Sequence, residues 1–278
     1  MNLADERLKG LDSPSLTTDE RALLRCSVAA DLIHKGQYEA ARESLGELWR
    51  GAGQRPHVEG LDERAAAEVL LQVGALSGWM GASSQTPGAQ EAAKNLISES
   101  AALFESIGET DRAAAARGDL ALCYWREGAY DEARVLLNEA LSRVSGEDLT
   151  AKITLRLIVV ESSAGYYADA FRLLVDSAPL FERSQNHALR GRFHNELAIV
   201  LQTLGASERR KEYFDRAIIE YTAAIYHYEQ SGHERYKATN LNNLAFLLYK
   251  LGRHRLAHEH LDRAGAALRK LSRWKKVL

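Results

Sequence analysis

Six glycines recur through the chain at a spacing that points to a repeat architecture. Near each glycine one amphipathic helical pattern ends, and another begins after it. An aliphatic residue stands eight positions before each glycine and is usually followed by a small residue, a pairing typical of closely packed helices. The sequence therefore predicts stacked helical hairpins. The glycines, 37 to 47 residues apart, are Gly36, Gly81, Gly128, Gly165, Gly205 and Gly252, and the apolar pairs are Val28-Ala29, Val73-Gly74, Leu120-Ala121, Leu157-Ile158, Leu197-Ala198 and Leu244-Ala245.

An alanine marks the second helix of each hairpin. It comes five positions after the glycine in four units, at Ala41, Ala133, Ala170 and Ala257, and twelve positions after it in two, at Ala93 and Ala217. The difference of seven residues corresponds to about two helical turns. Further matches, such as Leu120 with Leu244 and Leu137 with Leu261, share an offset of 124 residues. We interpret the chain as a duplicated module of three helix pairs, spanning residues 17–146 and 147–271. Residues 1–16 form an arm or an extra helix, and residues 272–278 form a basic tail.

The predicted fold is all-α, with twelve helices in six antiparallel pairs. Only 4 of the 278 residues are proline, which breaks helix interiors. Thr17 and Glu20 have capping-box spacing, and glycines such as Gly36, Gly128 and Gly252 suit helix ends. Residues 51–60 read as a loop and residues 79–88 as a second possible one. The predicted pairs are 17–35 with 37–51, 61–80 with 88–107, 109–127 with 130–145, 147–164 with 166–184, 186–204 with 207–231, and 233–251 with 254–271.

The chain shows no targeting or membrane signal. Its first residues are charged and lack the apolar core of a signal peptide, and we find no segment that could span a membrane. The two cysteines, Cys26 and Cys123, lie in apolar helical stretches far apart in sequence. Buried free thiols in a reducing cytoplasm explain them better than a disulfide does.

At this point the residues resemble the tetratricopeptide repeat (TPR), in a variant with lengthened repeats. The first-helix motif is matched by Arg117-x2-Leu120-Ala121-x2-Tyr124 and by Leu241-x2-Leu244-Ala245-x2-Leu248, and the turn by Gly128-x-Tyr130-x2-Ala133. The resemblance implies an α-α superhelix, a right-handed solenoid of about six antiparallel helix pairs. It also implies that the first helices line a concave face that binds extended peptides or helices of other proteins.

The register places a polar residue nine positions before every glycine, between the apolar packing positions: Ser27, Gln72, Asp119, Arg156, Glu196 and Asn243. Asparagine amides can donate to a peptide C=O and accept from its N–H, and exposed aromatics are common interface anchors. A solvated inner face is the alternative explanation. The candidate partner-binding residues are Asp119, Leu122, Trp125, Arg126, Asn195, Ile199, Gln202, Asn242, Asn243, Phe246, Tyr249 and Lys250.

Catalytic and metal-binding signals are weak. His254 and His258 share a helix face, but no third ligand is specified, and His227 and His233 lie nearby in sequence. We find no nucleophile or phosphate-loop motif, and we expect no enzyme activity and no cofactor. The net charge of −2 divides into −9 for residues 1–205 and +7 for residues 206–278. The basic end could contact nucleic acid, but a polar solenoid cap is the preferred explanation.

The sequence therefore predicts a non-catalytic cytoplasmic scaffold that binds a peptide or helical segment of a partner protein. The alternative is a peptide-sensing regulator of bacterial type that controls transcription or signalling, although no DNA-reading helix-turn-helix is evident. Self-association through the terminal hairpins is a third possibility.

Overall fold

The computed structural model describes residues 15–51, 54–84 and 86–274, and over these residues the protein is all-α. The described residues form twelve α-helices and no strand, in the pairwise order predicted from the glycine repeat. Neighbouring helices within each unit pack on each other, which confirms the predicted all-α solenoid class. Contacts divide the chain into two compact units, Met1–Leu149 and Thr150–Leu278.

The first unit contains three helix pairs. Their apolar residues form two clusters, one around the first pair and the start of the second, the other between the second and third pairs. The helices are α1 (Thr18–His34), α2 (Tyr38–Leu45), α3 (Glu63–Ser84), α4 (Ala89–Ser106), α5 (Thr110–Glu127) and α6 (Tyr130–Leu141).

The second unit also contains three helix pairs, and its first helix begins three residues before the division between the units. One apolar cluster runs through all three pairs. The helices are α7 (Glu147–Ser163), α8 (Tyr167–Arg183), α9 (His187–Ser207), α10 (Lys211–Gln230), α11 (Glu234–Lys250) and α12 (His254–Trp274).

The predicted packing positions are confirmed. All six aliphatic–small pairs before the glycines are buried, and so are the six alanines of the second helices. Small residues at these positions let the two helices of a pair approach closely.

The predicted caps are also confirmed. The Thr17 hydroxyl accepts from Glu20 N at 3.2 Å, and the Glu20 carboxylate accepts from Thr17 N at 2.9 Å. Gly36, Gly128 and Gly252 have φ of 69°, 80° and 73°, the left-handed conformation that ends a helix with little strain when the residue is glycine.

Two of the six repeat glycines do not end helices, so that part of the prediction is wrong. Gly81 lies inside α3 and Gly205 inside α9, and residues 79–84 are helical rather than a loop. A Cβ at Gly81 would lie 2.2 Å from Ala89 Cβ, and one at Gly205 would lie 3.1 Å from Tyr213 Cβ. These glycines make room for the returning helix.

The second helix of the first pair is shorter than predicted. It ends at Leu45 and continues only as a 3₁₀ turn over Gly46–Leu48. Arg25 Nη1 donates to Ser44 O at 3.0 Å, and Gly46 has φ of 58°. A Cβ at Gly46 would lie 2.5 Å from Arg25 Nη1, so the guanidinium occupies space that a side chain would need.

Most of the predicted arm, residues 1–14, and the end of the predicted tail, residues 275–278, lie outside the described residues. No helix in the described part of the chain is long and apolar enough to cross a membrane.

Candidate functional site

Helix α11 presents one exposed face. Side chains at spacings of three or four residues, from Thr239 to Lys250, share that face. It carries two large exposed aromatics, Phe246 at 52% exposure and Tyr249 at 60%. We call the set Thr239, Asn242, Asn243, Phe246, Tyr249 and Lys250 the α11 face; it includes five of the predicted partner-binding residues.

The two asparagines of the α11 face make no hydrogen bond to the described part of the chain. Asn242 is exposed and Asn243 partly exposed, so each amide keeps its donors and its acceptor for another molecule. Lys250 Nζ lies 4.5 Å from the Phe246 ring centroid, a cation–π distance. The face therefore combines apolar area, hydrogen-bonding capacity and one positive charge.

The predicted residues of α9 are less exposed. Asn195, Ile199 and Gln202 are all partly buried, and Ile199 packs against the core. Asn195 Nδ2 donates to Glu196 Oε1 at 2.9 Å, and Gln202 Oε1 accepts from the Tyr221 hydroxyl at 3.3 Å. Two of these three side chains are thus held by neighbours inside the protein.

Glu196 of α9 acts electrostatically on two tyrosines of α10, and one of these tyrosines contacts α11. Burial raises the pKa of Glu196, and the pKa values of Tyr221 and Tyr228 are raised by burial and by the nearby Glu196 charge. Tyr228 stacks on Tyr236 of α11, with ring centroids 5.4 Å apart. The Tyr228 ring also lies close to α9, because a Cβ added at Gly191 would lie 3.1 Å from it.

The candidates on α5 belong to the first unit. Asp119, Leu122, Trp125 and Arg126 are all partly exposed on that helix. The guanidinium carbon of Arg126 lies 3.9 Å from the ring centroid of Trp79, and Nη1 lies 3.8 Å from Cys123 Sγ. Because they lie in a different unit, these four residues are a separate candidate set from those of α9 and α11.

The polar stripe predicted from the register differs in exposure from unit to unit. Ser27 is exposed, whereas Asp119, Arg156, Glu196 and Asn243 are partly exposed. The remaining member is buried: Gln72 Nε2 donates to Glu68 Oε1 at 3.1 Å. The stripe is therefore not a uniformly solvated face.

Three histidines form a cluster between α9 and α10. His187 Nδ1 lies 2.8 Å from His227 Nδ1, and the His194 and His227 rings stack with centroids 5.3 Å apart. His194 Nδ1 lies 2.7 Å from a carboxylate oxygen of Glu220. Burial first, and then the charges of Arg190, His194 and His187, lower the pKa of His227 to about 4.

Comparison of the two predicted modules at the 124-residue offset could have revealed this polar region from the sequence, although spacing within one hairpin could not. Shifted by 124 residues, His194, Glu220, Tyr221, His227 and Tyr228 correspond to the apolar residues Leu70, Leu96, Ile97, Leu103 and Phe104. Four of the five apolar counterparts are buried, and Leu103 packs against the core. The α9–α10 pair thus carries polar side chains where the α3–α4 pair has a hydrocarbon interior.

Metal binding and thiol chemistry find no support in the described residues. No group of three or more His, Cys, Asp or Glu side chains there could hold a metal ion. His254 and His258 are exposed, and His227 contacts His187 and His194. Both cysteines are free and buried, as predicted. Burial raises the pKa of Cys26, and it raises that of Cys123 to about 11, so both are neutral thiols near pH 7.

No protein-family model and no curated protein matches the sequence. Among solved structures, the apo form of the quorum sensor NprR from B. thuringiensis is similar, with a TM-score of 0.61 and 15% identity over 98% of this chain and 71% of that chain. Aspartyl phosphate phosphatase F from Bacillus subtilis is similar with a TM-score of 0.62 and 13% identity, over 97% of this chain and 69% of that chain.

A third similar structure, of TPR-like repeats of a putative kinesin light chain from P. anserina, has a TM-score of 0.51 and 15% identity over 73% of this chain and 96% of that chain. Together these likenesses confirm the helical-repeat fold predicted from the tetratricopeptide resemblance.

Proposed function

We propose that the protein is a non-catalytic interaction module that binds an extended peptide or a helical segment of a partner protein. The observation that carries the proposal is the α11 face, where exposed Phe246 and Tyr249 share one surface with Asn242 and Asn243, whose amides bond to no other described residue. Exposed aromatics supply binding energy at protein interfaces because they bury a large apolar area at little entropic cost.

Asparagine is suited to binding peptide main chain. One amide can donate to a backbone C=O and accept from a backbone N–H, so it holds a peptide without reading its side chains. Asn195 on α9 is the third asparagine of the proposed surface. The neutral state of both thiols supports a binding role over nucleophilic catalysis.

The test is capture of partners by the wild type and by the triple variant Asn195→Ala/Asn242→Ala/Asn243→Ala. We expect the triple variant to lose partners that the wild type recovers, because it lacks the amides that would hold the peptide backbone. Asn95→Ala, which removes an exposed asparagine from α4 in the other unit, is the matched control and should recover them normally. Unchanged recovery with the triple variant would remove the proposal.

A peptide-sensing regulator is the second candidate, and it would use the same surface. It is supported by the likeness of the fold to the quorum sensor NprR. A sensor changes shape when it binds its peptide, whereas a scaffold does not have to. A change in small-angle scattering on adding a bound peptide would favour the sensor.

Self-association through the terminal hairpins stays a prediction. Leu261 and Leu268 of α12 are 44% and 52% exposed, whereas Leu137, the counterpart of Leu261 in the first module, is buried. Exposed leucines on the last helix offer apolar area for such contacts.

A further inference from the structure

Glu196 has no cationic partner in the described part of the chain. No Lys, Arg or His nitrogen of that part lies within 4.0 Å of its carboxylate. Its one hydrogen bond there comes from Asn195 Nδ2, and the Tyr221 hydroxyl donates to Gln202 instead. Arg192, one turn earlier on α9, acts on Glu196 only through its field. A carboxylate withdrawn from water is costly unless it is paired or hydrogen-bonded several times.

In the first module, the corresponding region contains a carboxylate that has an ion-pair partner. There the carboxylate belongs to Glu68, which forms an ion pair with Arg112 of α5 and accepts a hydrogen bond from Gln72. The residue that corresponds to Arg112 in the second module is Tyr236, at an offset of 124 residues. At the same offset Arg192 stands at the position of Glu68, and Glu196 stands at the position of Gln72. The second module therefore has an acidic and a basic residue one turn apart on α9, with no ion pair between them and no arginine on α11 at the position of Arg112.

Glu196 is also partly exposed, next to Asn195, which the proposed function assigns to peptide binding. Part of its side chain is exposed, and it lies between Asn195 and Ile199 on the face of α9. Ile199 is partly exposed as well, so a long aliphatic side chain can lie along it while its charged end reaches the carboxylate.

We propose that the bound segment carries a lysine or arginine whose charged group pairs with Glu196. This rests on the proposed function, and it names the chemistry of the ligand: a cationic peptide, with the stem of its basic side chain along Ile199. The new ion pair would give the carboxylate the cationic partner that it lacks among the described residues, and the Asn195 amide next to it would hold the adjacent main chain.

The first experiment is selection of displayed random heptapeptides against the full chain, wild type and Glu196→Gln. We expect peptides selected on the wild type to share Lys or Arg at one position, and peptides selected on Glu196→Gln to lose that preference. Glu182→Gln on α8, an exposed carboxylate in the same unit, is the matched control and should keep the preference.

The second experiment uses one synthetic selected peptide and its analogue with alanine in place of the basic residue. The wild type should bind the analogue at least tenfold more weakly than the parent peptide. Glu196→Gln should bind the two about equally, because the charge that tells them apart is gone. Arg192→Gln should bind the parent peptide more tightly, since it removes a positive charge near Glu196 that repels the basic residue of the peptide. The comparison of the two peptides uses only the wild-type protein, so its result does not depend on whether a variant folds.

Two results would overturn the inference alone: selected peptides without a shared basic residue, or Glu196→Gln that binds the parent peptide as tightly as the wild type. If no peptide is selected on the wild type, or if Asn242→Ala/Asn243→Ala leaves peptide binding unchanged, the proposed function itself fails, and this inference fails with it.

Discussion

At the scale of single residues, His227 is where burial most changes the chemistry of a side chain. Its pKa is lowered from 6.5 to about 4, so the folded protein excludes a proton that the unfolded chain takes up over that range. The free energy of unfolding should therefore fall as the pH drops from about 6.5 towards 4, by at most about 3 kcal/mol from this group. Above pH 6.5 the histidine is neutral in both states and contributes no pH dependence.

Urea unfolding at pH 7 and pH 4.5 checks this for the wild type and for His227→Gln, which keeps a polar side chain. We expect His227→Gln to lose less stability between the two pH values than the wild type does. Carboxylates far from this cluster titrate equally in both proteins, so the difference reports on His227 and the histidines that it contacts. Equal losses would contradict the burial and the contacts described for His227.

The sequence predicted which single residues are buried, but it did not predict which residues the polar ones contact. Burial of Ala41, Ala133 and both cysteines follows from helical periodicity, which is local. The contact of His187 with His227 joins residues 40 positions apart. Spacing within one hairpin does not reveal such a pair, so the sequence grouped His227 with His254 and His258 instead.

At the scale of helices, the repeat glycines have two different roles. Those inside α3 and α9 allow another helix to approach closely, whereas the other four lie at helix ends. The sequence predicted a helix end at the glycine in all six units, because a sequence pattern does not show which residues of the next helix will lie close to it. In four units the glycine has a left-handed φ, and in two it faces the returning helix. The longer helices α3 and α9, with 22 and 21 residues, follow from this.

Replacement of Gly81 by alanine should destabilise the protein. The new Cβ would lie 2.2 Å from Ala89 Cβ, so α3 and α4 must move apart, and we expect a loss of about 2 kcal/mol in the free energy of unfolding. Gly265→Ala in α12 is the control, because the atom nearest its Cβ is the mobile Arg269 Nη1 at 3.3 Å. It should be neutral or stabilising by up to about 1 kcal/mol. Urea unfolding that shows equal effects for the two variants would contradict the contact.

At the scale of the whole molecule, the small net charge does not show which charged residues have partners within the protein. Several basic residues after position 206 have acidic or aromatic partners: Arg253 lies 3.4 Å from Asp215, Arg255 lies 2.6 Å from Glu259, and Lys250 lies over Phe246. Glu196, in the second unit, has no basic partner among the residues that the structure describes. A ligand would therefore meet local charges, and the overall sign of the chain says little about its chemistry.

The fold followed from the sequence because repetition supplies the same local information six times. The exposure of the candidate residues on α11 followed as well, since an exposed stripe is the complement of a buried one, whereas their role in binding stays a prediction. Glu196, Tyr221 and Tyr228 did not follow as a group, because they meet only when α9, α10 and α11 pack together. The two predicted modules, 17–146 and 147–271, remain an interpretation of the duplication.

The most direct test of the central claim is the affinity of one selected peptide for Phe246→Ala/Tyr249→Ala, measured by fluorescence anisotropy. The matched control is Tyr166→Ala/Val175→Ala, which removes two hydrophobic side chains of similar exposure, 52% and 51%, outside the α11 face. Binding through the α11 face predicts at least tenfold weaker affinity for the first variant, a loss of about 1.4 kcal/mol or more, and affinity within twofold of wild type for the control. Equal affinity of Phe246→Ala/Tyr249→Ala and the wild type would contradict it.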